Sequence, residues 1–181
     1  MAVPNPGKLV LAALSRAIYD WIKGETAGVI EQEAIIRRDG SEPLPARPCV
    51  TYKFTSGPHR VGLMDSQVID PTTGKVFIGG QREMVLSIQT YGSKRAQSNV
   101  GAYQLAADLN ASLDKPSVRQ ALRKAGIGVQ VQGDVTNLTD LEETEYEERA
   151  EFSIRLGVAE NVVDDPGYFT EVGPVAETIN Q

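Results

Sequence analysis

The sequence predicts an α+β fold, with helices packed on one face of an antiparallel or mixed sheet and a long β-hairpin protrusion. Apolar residues recur at three- and four-residue steps near the start of the chain and again after position 94, which is typical of amphipathic helices. Elsewhere apolar and polar residues alternate, as in strands with one buried face. The order of helix, strands, two helices and strands favours α+β over a doubly wound parallel sheet.

Three helices are expected. The first spans residues 8–23 and ends at Gly24, and the second spans residues 94–113. The third begins at Pro116, where the missing N–H is harmless, and ends at Gly126. The apolar stripe of the first helix comprises Val10, Leu14, Ala17, Ile18, Trp21 and Ile22, and that of the second comprises Ala102, Leu105, Ala106, Leu109 and Leu113.

Four further stretches are expected to be strands. Residues 28–38 form a weak one, and a loop over residues 39–45 follows. Residues 49–55 place Val50, Tyr52 and Phe54 on one face. The last two strands are residues 127–132, with Ile127, Val129 and Val131 inward, and residues 147–158, with Ala150, Phe152, Ile154, Leu156 and Val158 inward.

A long hairpin is predicted from residues 60–69 and 75–91. Residues 70–74 join its arms with strong turn chemistry, because Pro71 presets φ and Gly74 accepts positive φ. Gly79 and Gly80 predict a bulge or bend in the returning arm. Since an isolated hairpin is marginal in water, we expect this one to contact a neighbour.

The length of 181 residues fits one domain, which we place at residues 1–165, followed by a C-terminal arm at 166–181. The formal net charge of −6 disfavours general binding of nucleic acid and of anionic membranes. No signal peptide or membrane-spanning apolar run is visible, so synthesis in the cytoplasm is expected. The single cysteine, Cys49, excludes an internal disulfide.

No catalytic, cofactor-binding or metal-binding residue is predicted. The only histidine, His59, has no second potential metal ligand at the spacing of a known metal-binding motif. The sequence also lacks the Gly-x-Ser-x-Gly motif of a serine nucleophile with which a catalytic histidine could act. Cys49 is interpreted as a small buried apolar residue. Gly126 and Gly128 are interpreted as a helix end followed by a strand start, because they fall short of a dinucleotide-binding fingerprint.

An acidic segment covers residues 140–151 and is opposed only by Arg149. It lacks the alternating Asp or Asn residues and the glycine of a calcium loop. Two interpretations stay open, a solvated outer surface and a functional electrostatic surface. Asp164 and Asp165 are interpreted as part of a turn.

Several stretches, taken in order, resemble the phage neck or tail terminator proteins of contractile-tail phages and prophages. The stretches are residues 81–92, 108–113, 125–128, 133–138 and 146–156, followed by the acidic exit at 162–165. The resemblance covers residues 8–165 and implies a tail-terminator-like fold. It also implies a homohexameric ring that caps the tail tube and meets the connector beneath the head.

The partners that this resemblance implies are other copies of the chain, the tail tube protein and the head–tail connector or head-completion protein, with the tail sheath as a further candidate. DNA would pass through the lumen without specific binding, and the protein would reside in the neck of the virion. Two alternatives are kept. One is another tail-completion, tube or baseplate subunit, and the other is an uncharacterised enzyme.

Overall fold

The structure is a computed structural model that describes residues 11–39, 43–62, 65–92, 101–138, 140–142 and 145–166. Its three helices are α1 (Leu11–Glu25), α2 (Ala102–Ser112) and α3 (Pro116–Lys124), and a short 3-10 helix lies at Gln32–Ala34. The strands are β1 (Ile35–Arg37), β2 (Cys49–Phe54), β3 (His59–Arg60), β4 (Ser66–Ile69), β5 (Val76–Tyr91), β6 (Ile127–Gln132), β7 (Thr136–Asn137), β8 (Asp140–Glu142), β9 (Glu145–Glu147) and β10 (Arg149–Asp164). The predicted α+β class is confirmed.

Eight strands form one mixed sheet with the order β1-β2-β5-β10-β6. The β1–β2 pair is parallel and the other pairs are antiparallel. Strands β3 and β4 follow β2 along the same edge of β5, and β7 pairs with β10. The two longest strands, β5 and β10, pair along their whole length and form the spine of the molecule. Strands β8 and β9 form a separate small hairpin.

The helices cover one face of this sheet, as predicted, because alternation in the strands gives them one apolar face. The core side chains of β5 and β10 lie in cross-strand rows, such as Ile88 beside Phe152 and Leu86 beside Ile154. Helix α1 contributes Leu14, Ile18, Trp21 and Ile22, and α2 contributes Ala102, Leu105, Ala106 and Leu109. Among the helices of the described ranges, none has the length and apolar content that a bilayer crossing requires.

Polar side chains attach the helices to the sheet and to one another. The Tyr52 hydroxyl of β2 lies 3.1 Å from Ser15 Oγ in α1, and its burial raises the pKa of the phenol. The Trp21 indole N–H of α1 donates to Ser112 Oγ of α2 at 2.9 Å. Thr90 Oγ1 of β5 donates to the Ala102 carbonyl at the start of α2, at 2.8 Å. The first two bonds join residues that are 37 and 91 positions apart in the sequence.

Two expectations about the strands need correction, namely the inward position of Val131 and the bulge that was one of two alternatives at Gly79 and Gly80. Val131 is 51% exposed, because a bulge between Arg155 and Leu156 puts Val131 opposite Arg155 on the polar face. At Gly79 and Gly80 there is no bulge, since β5 and β10 pair there without a register shift. These glycines are needed for close packing, which is described below.

Several boundaries also differ. Helix α1 ends at Glu25 and not at Gly24, and the residue with positive φ that follows it is Gly28. Most of the weak strand predicted at 28–38 is loop and 3-10 helix, with only β1 as strand. Strand β10 continues six residues past Val158, because β5 supplies a partner for each of them. Val10, residues 94–100 and the proposed arm after Pro166 lie outside the described residues.

Candidate assembly surface

Beyond the helices, β4 and the far halves of β5 and β10 form a three-stranded ribbon. We define the ribbon as residues 65–69, 76–81 and 159–164. Its six-residue length along β10 corresponds to about 20 Å. Within these ranges no apolar side chain is buried, in contrast to the continuous core that begins at Met84 and Val158. The predicted hairpin is therefore present, but β10 adds a third strand to it.

Both faces of the ribbon expose apolar side chains. One face carries a cross-strand row of Val68, Phe77 and Val163. The other carries Ile69 beside Val76, and Ile78 beside Val162. The exposed fractions are 46% for Val68, 65% for Ile69, 47% for Val162 and 46% for Val163. Exposed apolar clusters of this kind mark interaction surfaces, because transferring apolar surface out of water is favourable.

A hydrogen-bonded turn closes the tip of the ribbon, as the sequence predicted. Asp70 Oδ1 accepts from the Thr72 backbone N–H at 2.9 Å, and Oδ2 accepts from Thr73 Oγ1 at 2.6 Å. These hydrogen bonds hold the pKa of Asp70 below its ordinary value, and the bond from Thr73 has the largest effect. Gly74 has φ of 69° and donates to the Asp70 carbonyl. The turn at the tip therefore has a conformation that its own hydrogen bonds stabilise.

An ion-pair cluster fixes the root of the ribbon. Arg82 of β5 makes two parallel bonds to Asp65, from Nη1 to Oδ1 at 2.7 Å and from Nη2 to Oδ2 at 2.8 Å. Its Nε donates to Glu160 Oε2 of β10 at 2.8 Å. Arg60 adds a contact to Asp65 at 3.2 Å. One guanidinium thus ties together all three strands of the ribbon.

This cluster shifts the pKa values of its members. The hydrogen bonds from Arg82 hold the pKa of Asp65 below its ordinary value. The pKa of Arg82 is raised by its hydrogen bonds to Asp65, which have the largest effect, and to Glu160. The side chains of Arg82 and Asp65 are only 12% and 8% exposed. The charges therefore persist at neutral pH in a place with little water.

The two glycines of β5 make room for side chains on opposite faces of the ribbon. A Cβ at Gly79 would lie 2.2 Å from Asn161 Oδ1. A Cβ at Gly80 would lie 2.0 Å from Asp65 Oδ1 and 2.6 Å from Arg82 Nη1. Gly80 therefore admits the ion-pair cluster, and this close packing explains the glycine pair for which the sequence predicts a bulge or bend.

His59 and Cys49 lie apart from each other and form no catalytic group. His59 is exposed on β3, with Nε2 3.8 Å from Glu83 Oε1, and Arg155 Nε lies 2.8 Å from the same oxygen. Cys49 is completely buried at the start of β2. In the described part of the chain, no three His, Cys, Asp or Glu side chains gather as a metal site.

The glycines after α3 and the acidic residues of the sequence also lie in defined elements of the structure. Gly126 has φ of 80° and follows α3, and Gly128 lies in β6, as the helix-end interpretation predicted. The acidic segment pairs Asp140 with Glu147 in the β8–β9 hairpin. Glu151 belongs instead to the main sheet, where Ser87 Oγ and Gln89 Nε2 donate to it. Asp164 is the last residue of β10, and so it lies in a strand and not in a turn.

Sequence reasoning missed the cluster around Arg82, although a signal for it exists. Arg82 is in phase with Met84, Leu86 and Ile88, which makes it a charge on the apolar face of its strand. Glu160 has the same relation to Val158 and Leu156 in β10. Charges of opposite sign at core-face positions of two strands predict a pair, because an unpaired charge is costly there.

Comparison with solved structures finds a match to the cryo-EM structure of the anti-feeding prophage cap, described as the AFP tube terminating cap. The TM-score is 0.49 and the sequence identity is 14%. The similarity covers 95% of this chain and 62% of the cap chain, so this chain spans less than two thirds of that protein. No curated protein matches the sequence.

A family model described as phage neck terminator protein matches residues 12–180. The match covers nearly the whole chain, and it confirms the resemblance found in the sequence. The chain therefore belongs to the phage neck terminator protein family.

Proposed function

We propose that the chain assembles into a homohexameric ring at the head-proximal end of the tail, where it caps the tail tube and joins the tail to the head connector. Its partners are other copies of itself, the tail tube protein and the head–tail connector or head-completion protein, with the tail sheath as a further neighbour. Assembly takes place in the host cytoplasm. The observation that carries this proposal is the ribbon, whose two apolar faces have no covering layer within the described residues.

A ring needs two different surfaces on each subunit that meet by rotation. The ribbon is one such surface, because it extends about 20 Å beyond the core and can reach an adjacent body. Its rigid root at Arg82 supports this role, since a fixed projection loses little conformational entropy on binding. The body of the neighbouring subunit, or the tube, would supply the second surface.

DNA passes through such a ring without specific binding. A net charge of −6 opposes phosphate binding, and repetition around a ring multiplies the effect. The acidic segment at residues 140–151 would serve this purpose on the lumen or its rim. The alternative for the same segment is an outer solvated surface.

The test is to place lysines on each face of the ribbon. Val68→Lys/Val163→Lys alters one face, and Ile69→Lys/Val162→Lys alters the other. The control is Val131→Lys, because Val131 is a strand residue with a similar exposed fraction, 51%, that lies outside the ribbon. Native mass spectrometry would measure the oligomer, and electron microscopy would show whether particles carry joined heads and tails of normal length.

We expect at least one ribbon variant to remain folded and monomeric and to give headless or irregular tails, while the control assembles normally. Normal rings and tails from both ribbon variants would refute the ribbon's role. A wild-type protein that stacks into long tubes would instead indicate a tube subunit, and a stable monomer in the presence of tail tubes would exclude the ring.

A further inference from the structure

The open face of the sheet carries a polar recess of about 410 Å³, far from the ribbon tip. Strand β2, the segment after β1, and strands β5 and β10 all contribute to its walls. The residues that matter here are Arg38, Asp39, Lys53, Ser87, Gln89 and Arg149. They lie on the side of the sheet that the helices leave uncovered, since Lys53, Ser87 and Gln89 alternate with core residues.

The recess is positively charged although the chain as a whole is acidic. Arg38, Lys53 and Arg149 face one carboxylate, Asp39, which is 2.7 Å from Arg37 Nε. Glu151 is close by, but its two oxygens accept from Ser87 and Gln89. Over the described ranges, the three cations of the recess have no ion pair with any carboxylate.

Arg149 is held ready for a ligand. Its guanidinium carbon lies 5.8 Å from the centre of the Tyr91 ring, and Tyr91 in turn donates to Gln89 Oε1 at 3.0 Å. Its Nε is buried and has no hydrogen-bond partner in the described structure. The ring contact fixes the guanidinium at the wall of the recess, and a guanidinium held in one orientation is a pre-organised site for an oxygen anion.

We infer that the recess binds carboxylates of residues 167–181 from a second copy of the chain. After Arg155 the sequence contains no Lys, Arg or His, and the segment carries Glu171 and Glu177 among apolar residues such as Phe169. Its charge is therefore complementary to that of the recess. The inference rests on the self-association proposed above, and it names one contact within that assembly.

Geometry favours a second copy over the same chain. Strand β10 ends at Asp164, thirteen residues beyond Glu151 beside the recess, which is about 43 Å of strand. Glu171, seven residues after Asp164, reaches at most ~25 Å in a fully extended chain. Glu177 would need nearly every intervening residue fully extended to return to its own recess. In an assembly, the ribbon delivers the segment directly to a neighbour.

Nucleic acid is a poorer candidate for this recess. A DNA backbone requires several cations spaced along a groove, whereas these three converge on one recess. The chain's net charge of −6 also repels a long polyanion more than it repels two carboxylates.

The test measures direct binding and needs neither rings nor tails, so a failed tail assay leaves its outcome unaffected. The receptor is the full chain with Glu171→Gln/Glu177→Gln, whose own segment no longer competes. The probe is a fluorescent peptide of residues 167–181, measured by anisotropy at low and high salt. The matched control peptide carries glutamine at both positions.

We expect the acidic peptide to bind about tenfold more tightly than the control peptide, and to lose this advantage at high salt. Adding Arg38→Glu/Lys53→Glu to the receptor should abolish the preference, and a peptide with Glu171→Lys/Glu177→Lys should regain binding to that receptor. Equal affinity of both peptides, or no rescue by the exchanged charges, would overturn the inference. Tighter binding of a DNA oligonucleotide would do so as well.

Discussion

Arg82 and Asp65 form a two-pronged salt bridge that holds the segment before β4 against β5, where the helical layer ends and the ribbon begins. The bridge occupies the space left by Gly80, and Glu160 completes it from β10. Because Asp65, Arg82 and Glu160 come from three different segments of the chain, this one guanidinium joins all three segments at the base of the ribbon.

Replacing the central cation should loosen the ribbon. Arg82→Met keeps most of the side-chain bulk but leaves Asp65 and Glu160 as neighbouring carboxylates without their main partner. We expect a lower Tm and faster amide exchange in β4. Arg16→Met is the control, since Arg16 and Asp20 form an exposed pair within α1. Equal losses in the two variants would show that the cluster is an ordinary surface pair.

Acid should destabilise the ribbon through Asp65 and Asp70. The folded state lowers both pKa values from 3.8, by hydrogen bonds from Arg82 and from Thr73 respectively. Their contribution to the free energy of unfolding is therefore complete above pH 3.8 and is lost as pH falls through the lower folded values. Urea denaturation between pH 6 and pH 2 should show a smaller pH dependence in Asp70→Asn than in the wild type. An unchanged slope would mean that this carboxylate titrates normally.

Much of the core could be predicted from the sequence, because the spacing of apolar residues along each strand and helix identifies the buried face. The alternation of Met84, Leu86 and Ile88, and of Phe152, Ile154 and Leu156, identified the buried face of the sheet. In α1 the three- and four-residue steps identified Leu14, Ile18, Trp21 and Ile22. These side chains are buried whatever their partners, and so the pattern needs no tertiary information.

Features that depend on a distant strand could not be predicted in this way. The alternation in residues 127–132 predicts that Val131 points inward, but a bulge in the pairing of β6 with β10 turns it outward. The alternation predicts that the last strand ends at Val158, but β10 continues to Asp164 because residues 159–164 pair with β5. The recess combines Arg38, Lys53 and Arg149 from three parts of the chain, and no local pattern joins them.

A methyl group at Gly133 should be poorly tolerated. A Cβ there would lie 2.8 Å from the Ser153 backbone oxygen, which already accepts from the Gly133 N–H at 2.7 Å. Backbone cannot move aside easily, so we expect Gly133→Ala to lower the free energy of unfolding by about 1–3 kcal/mol. Gly128→Ala is the matched control, because its Cβ would be 3.6 Å from the Gly157 oxygen, an ordinary contact. Chemical denaturation compares the two, and similar losses would argue against the close approach.

The hydrogen bond from Trp21 of α1 to Ser112 of α2 can be followed by tryptophan fluorescence, since Trp21 is the only tryptophan. Ser112→Ala leaves the buried indole N–H without its acceptor, which should cost about 1–3 kcal/mol and alter the tryptophan emission. Ser117→Ala, at an exposed position in α3, is the control and should have little effect. In a Trp21→Phe background the donor is gone, so Ser112→Ala should cost clearly less. Unfolding by urea, followed by circular dichroism in all four combinations, isolates the pair. If Ser112→Ala costs the same with Phe as with Trp at position 21, the hydrogen bond does not stabilise the contact between these helices.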